Sequence, residues 1–249
     1  MSISSIVGRH SVAAALLLLA GAAFAQAPAQ EAPKNLKVLP KDWTRPQVIN
    51  VMQNFTAALG VGCEYCHVEK EGAPPDFASD DKKEKDRARA MMKIATDLNA
   101  ALPKALDEPA DQITRVGCIT CHRGVPYPQQ IGEILAKTSK DKGFAAASAQ
   151  YTDLKTKYYG AQAYDFSEQG LIATARPLIA QNRQDEAIQF LQLNLTVFPK
   201  SAASYVAIAQ AQQGKKDNAA AIDALQKALA IDPKNAAATR MMAQLQPKK

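Results

Sequence analysis

The chain has 249 residues, of which 47% are hydrophobic, 22% charged and 6% aromatic, a globular composition that excludes a disordered or fibrous protein. Its formal charge of +6 does not mark a nucleic-acid binder, because bases and acids are interleaved. The densest run, Asp80-Asp81-Lys82-Lys83-Glu84-Lys85-Asp86-Arg87, carries both signs.

Residues 1–25 read as an export signal: Arg9 and His10 precede an apolar run from Ser11 to Ala25, and Ala23-Phe24-Ala25 forms a small-x-small cleavage site before Gln26. The alternative is a retained N-terminal anchor. The apolar run is short for a bilayer and no later segment is long and apolar enough, so the expected mature chain has no transmembrane segment. The expected location is the bacterial periplasm, an oxidising space where thiols persist only if something uses them. Residues 26–40 read as a linker.

The first predicted helix begins at Thr44-Arg45-Pro46, a capping hydroxyl followed by proline in the first turn. Val48, Val51, Met52, Phe55 and Leu59 recur at helical spacing, and Gly60 and Gly62 end the helix. Directly after it stands Cys63-Glu64-Tyr65-Cys66-His67. A second predicted helix is capped by Asp80 or Asp81 and runs to Leu102, where Pro103 stops it. It is followed by Cys118-Ile119-Thr120-Cys121-His122. The two frames take all four cysteines, and with His10 removed they also take both remaining histidines.

A C-x-x-C-H frame is the signature of covalent haem: two thiols add to the porphyrin vinyl groups and the adjacent histidine supplies a proximal nitrogen. Two frames imply two covalently bound haem c groups, attached through Cys63, Cys66, Cys118 and Cys121, with His67 and His122 as axial ligands. Zinc is the weaker reading, since residues 67–117 separate the pairs where a two-knuckle ribbon has about 15–20. Two disulfides would leave the histidine after each pair unexplained.

No histidine remains for the distal positions, which leaves methionine as the expected sulfur ligand. Met52 lies two turns before the glycine reversal, and folding its helix over the Cys63 frame would carry the sulfur toward the iron. On the second helix Met91 shares an apolar stripe with Ala95, Leu98 and Leu102, whereas Met92 lies nearer Lys85, Thr96 and Asn99. Met52 and Met91 are therefore the expected distal ligands, with Met92, water, lysine or an open face as alternatives.

Asn50-Val51-Met52-Gln53-Asn54-Phe55 with Leu59-Gly60-Val61, and Ala88-Arg89-Ala90-Met91 with Leu98-Asn99, each leading to its Cys/His frame, resemble one known family. It is the cytochrome c subunit of photosynthetic reaction centres and its relatives. The resemblance covers residues 40 to 130. It implies repeated units of helix, turn and frame, with the helix methionine distal and the frame histidine proximal: Met52/His67 and Met91/His122. The photosynthetic subunit has four such units; this chain has two.

In the last third a shift of 34 residues aligns Ile172 with Val206, Ala187 with Ala221, Leu191 with Leu225, Pro199 with Pro233 and Lys200 with Lys234. This period resembles tetratricopeptide repeats, helix pairs that must stack to bury their faces. Two repeats are expected, about 167–200 and 201–234, with a terminal helix from Ala236 to about Gln246 in which Met241 and Met242 are packing residues. Pro177 is a misfit inside a helix. Tyr151 to Phe166, with Tyr158, Tyr159 and Tyr164, is a candidate cover for the stack, and the Lys137–Lys142 region reads as a linker.

The expected fold is all-α: a dihaem domain over residues 41–135, a connecting segment over 136–166 and tetratricopeptide-like repeats over 167–249. The expected function is one-electron transfer between redox partner proteins, not enzymatic turnover. The repeats would serve docking or self-association, and no nucleic acid is involved. The rivals are a haem enzyme with one open iron face, reducing peroxide or a small oxyanion, and a scaffold stabilised by its haems.

Overall fold

The computed structural model describes residues 32–245. The expected export signal lies outside the described residues. Ten helices and one small hairpin are described, so the all-α expectation holds with one addition.

Helix α1 (Arg45–Leu59) begins as its sequence predicts. The Gln47 side chain reaches back to accept from the Thr44 N–H at 2.8 Å, and Pro46 occupies the first turn, where no intrahelical donor is needed. It ends at Gly60 in the left-handed region (φ 64°). After a 3-10 turn at Cys63–Tyr65, the short strands β1 (Val68–Lys70) and β2 (Ala73–Asp76) pair antiparallel, with Val68 opposite Asp76. Glu71 and Gly72 connect them, Gly72 at φ 69°.

Helix α2 (Lys83–Leu106) departs from expectation at both ends. Asp80 and Asp81 do not cap it; Asp80 instead takes Lys37 (2.7 Å), Arg89 (2.8 Å) and Lys85 (3.3 Å). Pro103 does not stop it either. Proline removes one donor, but the helix closes one further turn, and the N–H groups of Asp107 and Glu108 both donate to the Pro103 carbonyl, which the helix end would otherwise leave without a donor. Residues 35–37, read as linker, are tied down: Asn35 donates to Ala78 O at 2.6 Å and Lys37 pairs with Asp80.

Helix α3 (Cys118–His122) is the second frame itself. The remaining helices are α4 (Ile131–Lys142), α5 (Phe144–Tyr158), α6 (Glu168–Ala180), α7 (Gln184–Val197), α8 (Ala202–Gly214), α9 (Asn218–Ile231) and α10 (Ala236–Leu245). The starts of α6, α8 and α10 recur at the 34-residue period read from the sequence, as do those of α7 and α9. Stacking succeeds because the buried positions combine a few large side chains with many alanines. Leu171, Ile172, Phe190, Leu191 and Leu225 fill the centre, while Ala175, Ala187, Ala209, Ala221 and Ala228 let helices approach closely. Met241 and Met242 pack against this core. Pro177 stays within α6 on its exposed side, where solvent reaches the carbonyl it leaves unbonded.

The Lys137–Lys142 region is helix, not linker. Ile131, Leu135 and Ser139 recur every fourth residue and are buried, so the lysines between them simply face water. Hairpin α4–α5 packs against α6 and α7, and the Tyr151 and Phe166 rings meet edge to face at 5.9 Å in the core. Tyr158 and Tyr164 pack against it; Tyr159 is exposed.

Candidate functional site: two Cys/His frames

In the first frame extended Gly62 leads into the 3-10 turn, and His67 N–H donates to Cys63 O at 3.0 Å, setting the histidine one turn beyond the first cysteine. The hairpin then folds Phe77 back so that its ring meets His67 edge to face, 5.1 Å between centroids. His67 is buried, and its Nδ1 has no hydrogen-bond partner among the described residues. Burial first, then the nearby Lys85, Lys82 and Arg89 cations, hold its pKa below the ordinary histidine value. Lys82 donates to the Glu64 carbonyl, and Lys85 donates to Phe77 O (3.0 Å), Ala78 O (3.1 Å) and Ser79 O (2.6 Å).

In the second frame the approach is fixed by Asn99 of α2. Its amide donates to Val116 O and accepts from Val116 N, both at 2.8 Å, and so holds the segment that delivers Gly117 and Cys118. After His122 the chain reverses through two left-handed residues, Arg123 (φ 48°) and Gly124 (φ 87°). The reversal makes a closed exchange: Val125 N–H donates to His122 O at 3.0 Å, and His122 Nδ1 lies 2.9 Å from Val125 O. With the proton on Nδ1, the ring is oriented and Nε2 is left as the lone-pair donor.

The two units are joined. Gly124 N–H donates to Ala58 O at 2.9 Å, and α1 packs against α3. At Gly60 any Cβ would collide with the Gly124 carbonyl, so that position requires glycine for space as well as for its positive φ. Tyr65 of the first frame meets Tyr127 beyond the second. The Tyr127 hydroxyl, more than burial, pushes the Tyr65 pKa up to about 12. Arg87 of α2 donates to the Tyr127 hydroxyl at 2.9 Å.

Cys63 and Cys121 are exposed, Cys66 and Cys118 half-buried, and no disulfide joins them. Burial raises the Cys66 and Cys118 thiol pKa values above the ordinary one. Among the described residues no three His, Cys, Asp or Glu side chains gather as a metal cluster. Met52 is half-buried on α1. On α2 the burial argument for Met91 is overturned: Met92, Ala95 and Asn99 are half-buried, while Met91, Ile94 and Leu98 are 48%, 57% and 43% exposed. The polar anchors Lys85, Arg89 and Asn99 draw their own side of α2 against the protein. They leave Met91, Ile94 and Leu98 open on the other side, while Ala95 and Leu102, expected on the same stripe as Met91, are half-buried.

Covalent haem c fits this donor set. Each frame offers two thiols and a histidine in one turn of chain, the His122 ring is already oriented through Nδ1, and an apolar helix face lies open to a flat hydrophobic partner. Sequence reasoning did not find Phe77, Lys82, the Asn99 clamp or the Val125 carbonyl. Only the hairpin had a local signal, the two-residue Glu71-Gly72 turn. The other contacts are long-range or made by backbone.

Residues 14–222 match the family described as photosynthetic reaction centre cytochrome C subunit. Cytochrome c-554 of Chloroflexus aurantiacus is 38% identical over 81 residues, covering 32% of this chain and 18% of that protein. The photosynthetic reaction center cytochrome c subunit of Rubrivivax gelatinosus is 32% identical over 97 residues, covering 35% of this chain and 25% of its own length. The chain thus spans a quarter or less of the curated relatives it matches, while the family match runs from residue 14 through both frames and into α9. On that match, the chain belongs to the photosynthetic reaction centre cytochrome c subunit family.

Proposed function

We propose that this protein carries single electrons between redox partner proteins through two covalently bound haem c groups. Cys63, Cys66, Cys118 and Cys121 hold the groups, His67 and His122 bind on the proximal side, and Met52 and Met91 on the distal side. Bound haem supplies an iron that cycles between two oxidation states one electron apart. The observation that carries this reading is the pair of Cys/His frames, in each of which the chain itself positions the histidine: by the Val125 carbonyl in one, by Phe77 in the other. Filled coordination suits a carrier, because it leaves no place for a substrate. Met91 belongs to the open apolar stripe of α2, the side from which a porphyrin can be covered, and Met92 to the anchored side. The periplasm is the proposed location. The 34-residue hairpins, in which we see tetratricopeptide-like repeats over 167–249, are the proposed docking surface for a partner or a second copy.

Denatured protein is expected to keep its haem through acid–acetone extraction and to give two haems per polypeptide as the pyridine haemochrome. The oxidised protein is expected to show the weak red sulfur-to-iron band. Met52→Ala and Met91→Ala should each remove about half of it and admit carbon monoxide at one iron, with Met92→Ala doing little. Freely extracted haem sinks the covalent reading. Wild-type protein that binds carbon monoxide readily favours the enzyme instead.

A further inference from the structure

Resting on the two-haem reading, the two histidine environments differ in a way that orders the sites. His122 Nδ1 is hydrogen-bonded to the Val125 carbonyl at 2.9 Å. That bond gives the imidazole more negative character and makes its other nitrogen a stronger donor, which favours oxidised iron. His67 lacks this: its Nδ1 is buried without an acceptor, against the Phe77 ring.

Charge acts in the same direction. Lys85, Lys82 and Arg89 all act on His67 as positive charges, Lys85 from its seat on the Phe77 carbonyl and Lys82 from the Glu64 carbonyl. The nearby carboxylates are already engaged: Arg89 meets both Asp80 and Asp86 at 2.8 Å, Lys37 and Lys85 share Asp80, Asp76 is taken by Lys70 at 2.8 Å, and Glu84 is engaged by Arg87 at 3.1 Å. Lys82 donates to a backbone carbonyl, that of Glu64, and makes no ion pair among the described residues, so its charge is the one left without a carboxylate. A net positive field in a partly desolvated site favours the state with one fewer positive charge, which is the reduced one.

We propose that the His67 site has the higher midpoint potential of the two, so that the first electron delivered by a one-electron reductant resides there and the His122 site fills second. Lys82 is the positioning residue of this difference, acting through its charge. The ferric iron at the His67 site gains one electron, and the reductant loses one. In a carrier, the His67 site is then the internal destination of electrons entering at His122.

The test is a stepwise redox titration of the full-length holoprotein followed by proton NMR, after a haemochrome assay has established two haems. The haem whose protons show cross-relaxation to the Phe77 ring is the His67 haem. It is expected to be reduced first, in a wave separate from the second. Lys82→Gln should lower that wave alone, and Lys82→Arg should restore it. Coincident waves, reduction of the Phe77-facing haem second, or a Lys82→Gln shift confined to the other wave each overturn the ordering. Fewer than two haems per chain defeats the underlying reading instead.

Discussion

The two halves of the molecule are held together differently. From Ile131 onward the hairpins enclose a continuous apolar core, in which Phe190, Leu135 and Leu191 are fully buried. Before Ile131, among the described residues, Ala58 and Val125 are the buried hydrophobics, and the long helix α2 buries none. The first half is fastened by polar anchors and backbone exchanges: Asp80 with its three cations, Asn99 on Val116, Gly124 on Ala58. A region of that size with so little buried hydrocarbon needs another source of apolar contact, and two porphyrins would supply it. The hairpin half needs none.

The largest effect should come from removing attachment altogether. In a chain carrying Cys63→Ala, Cys66→Ala, Cys118→Ala and Cys121→Ala, limited proteolysis is expected to digest the first half and leave a helical fragment beginning near Ile131. Equal resistance of both halves would break the comparison. A cut near Gly160 would strip α4–α5 from the α6–α7 face they cover, so the junction to test lies between Tyr127 and Ile131.

Phe190→Ala comes next. Truncating a fully buried phenylalanine costs about 3–5 kcal/mol, read as an earlier unfolding transition of the hairpin half with both haem spectra retained. Asn99→Ala should cost about 1–3 kcal/mol in the other half by leaving Val116 unpaired. Its signature is a lowered yield of the second haem with unchanged unfolding of the hairpins.

The smallest effect is a pH dependence. The Lys70 ammonium first, then the Ser79 and Ala78 N–H groups, hold the Asp76 carboxyl down to about 2 from its ordinary 3.8. A depressed carboxylate stabilises the fold above its unfolded pKa and loses that contribution as pH falls through the folded one. The β1–β2 hairpin should therefore loosen between about pH 4 and pH 2, seen as faster cleavage after Lys70 by an acid-active protease. Asp76→Asn should be loose already at neutral pH and indifferent to that window.

The same contrast explains what could be read from the sequence. The hairpin half is periodic, and stacking repeats that periodicity, so the alignment of Ala187 with Ala221 and Leu191 with Leu225 carried straight into the packing. Its hidden elements were α4 and α5, both reaching into the stretch read as a connecting segment; in α4 lysines on the wet face obscured the buried Ile131, Leu135 and Ser139. In the first half the frames and the α1 boundaries were legible because caps, glycines and cysteines act locally. The orientation of α2 was not. An apolar stripe predicts burial only where protein supplies the opposing surface, and here Lys85, Arg89 and Asn99 decided the side. Pro103 misled for a related reason, since the groups that close the last turn lie beyond it.

The meeting of Gly60 with Gly124 has a consequence for the order of assembly. The end of α1 finds its seat on a stretch of chain that follows both Cys/His frames, so α1 cannot settle until the polypeptide has been delivered as far as Gly124. Until then the Cys63 frame stands on an open segment, accessible from all sides. Arrival of the second frame closes the loop. Attachment at the first pair thus has a natural interval before the fold shuts, and a side chain at Gly60 would lengthen that interval by denying the helix its resting place.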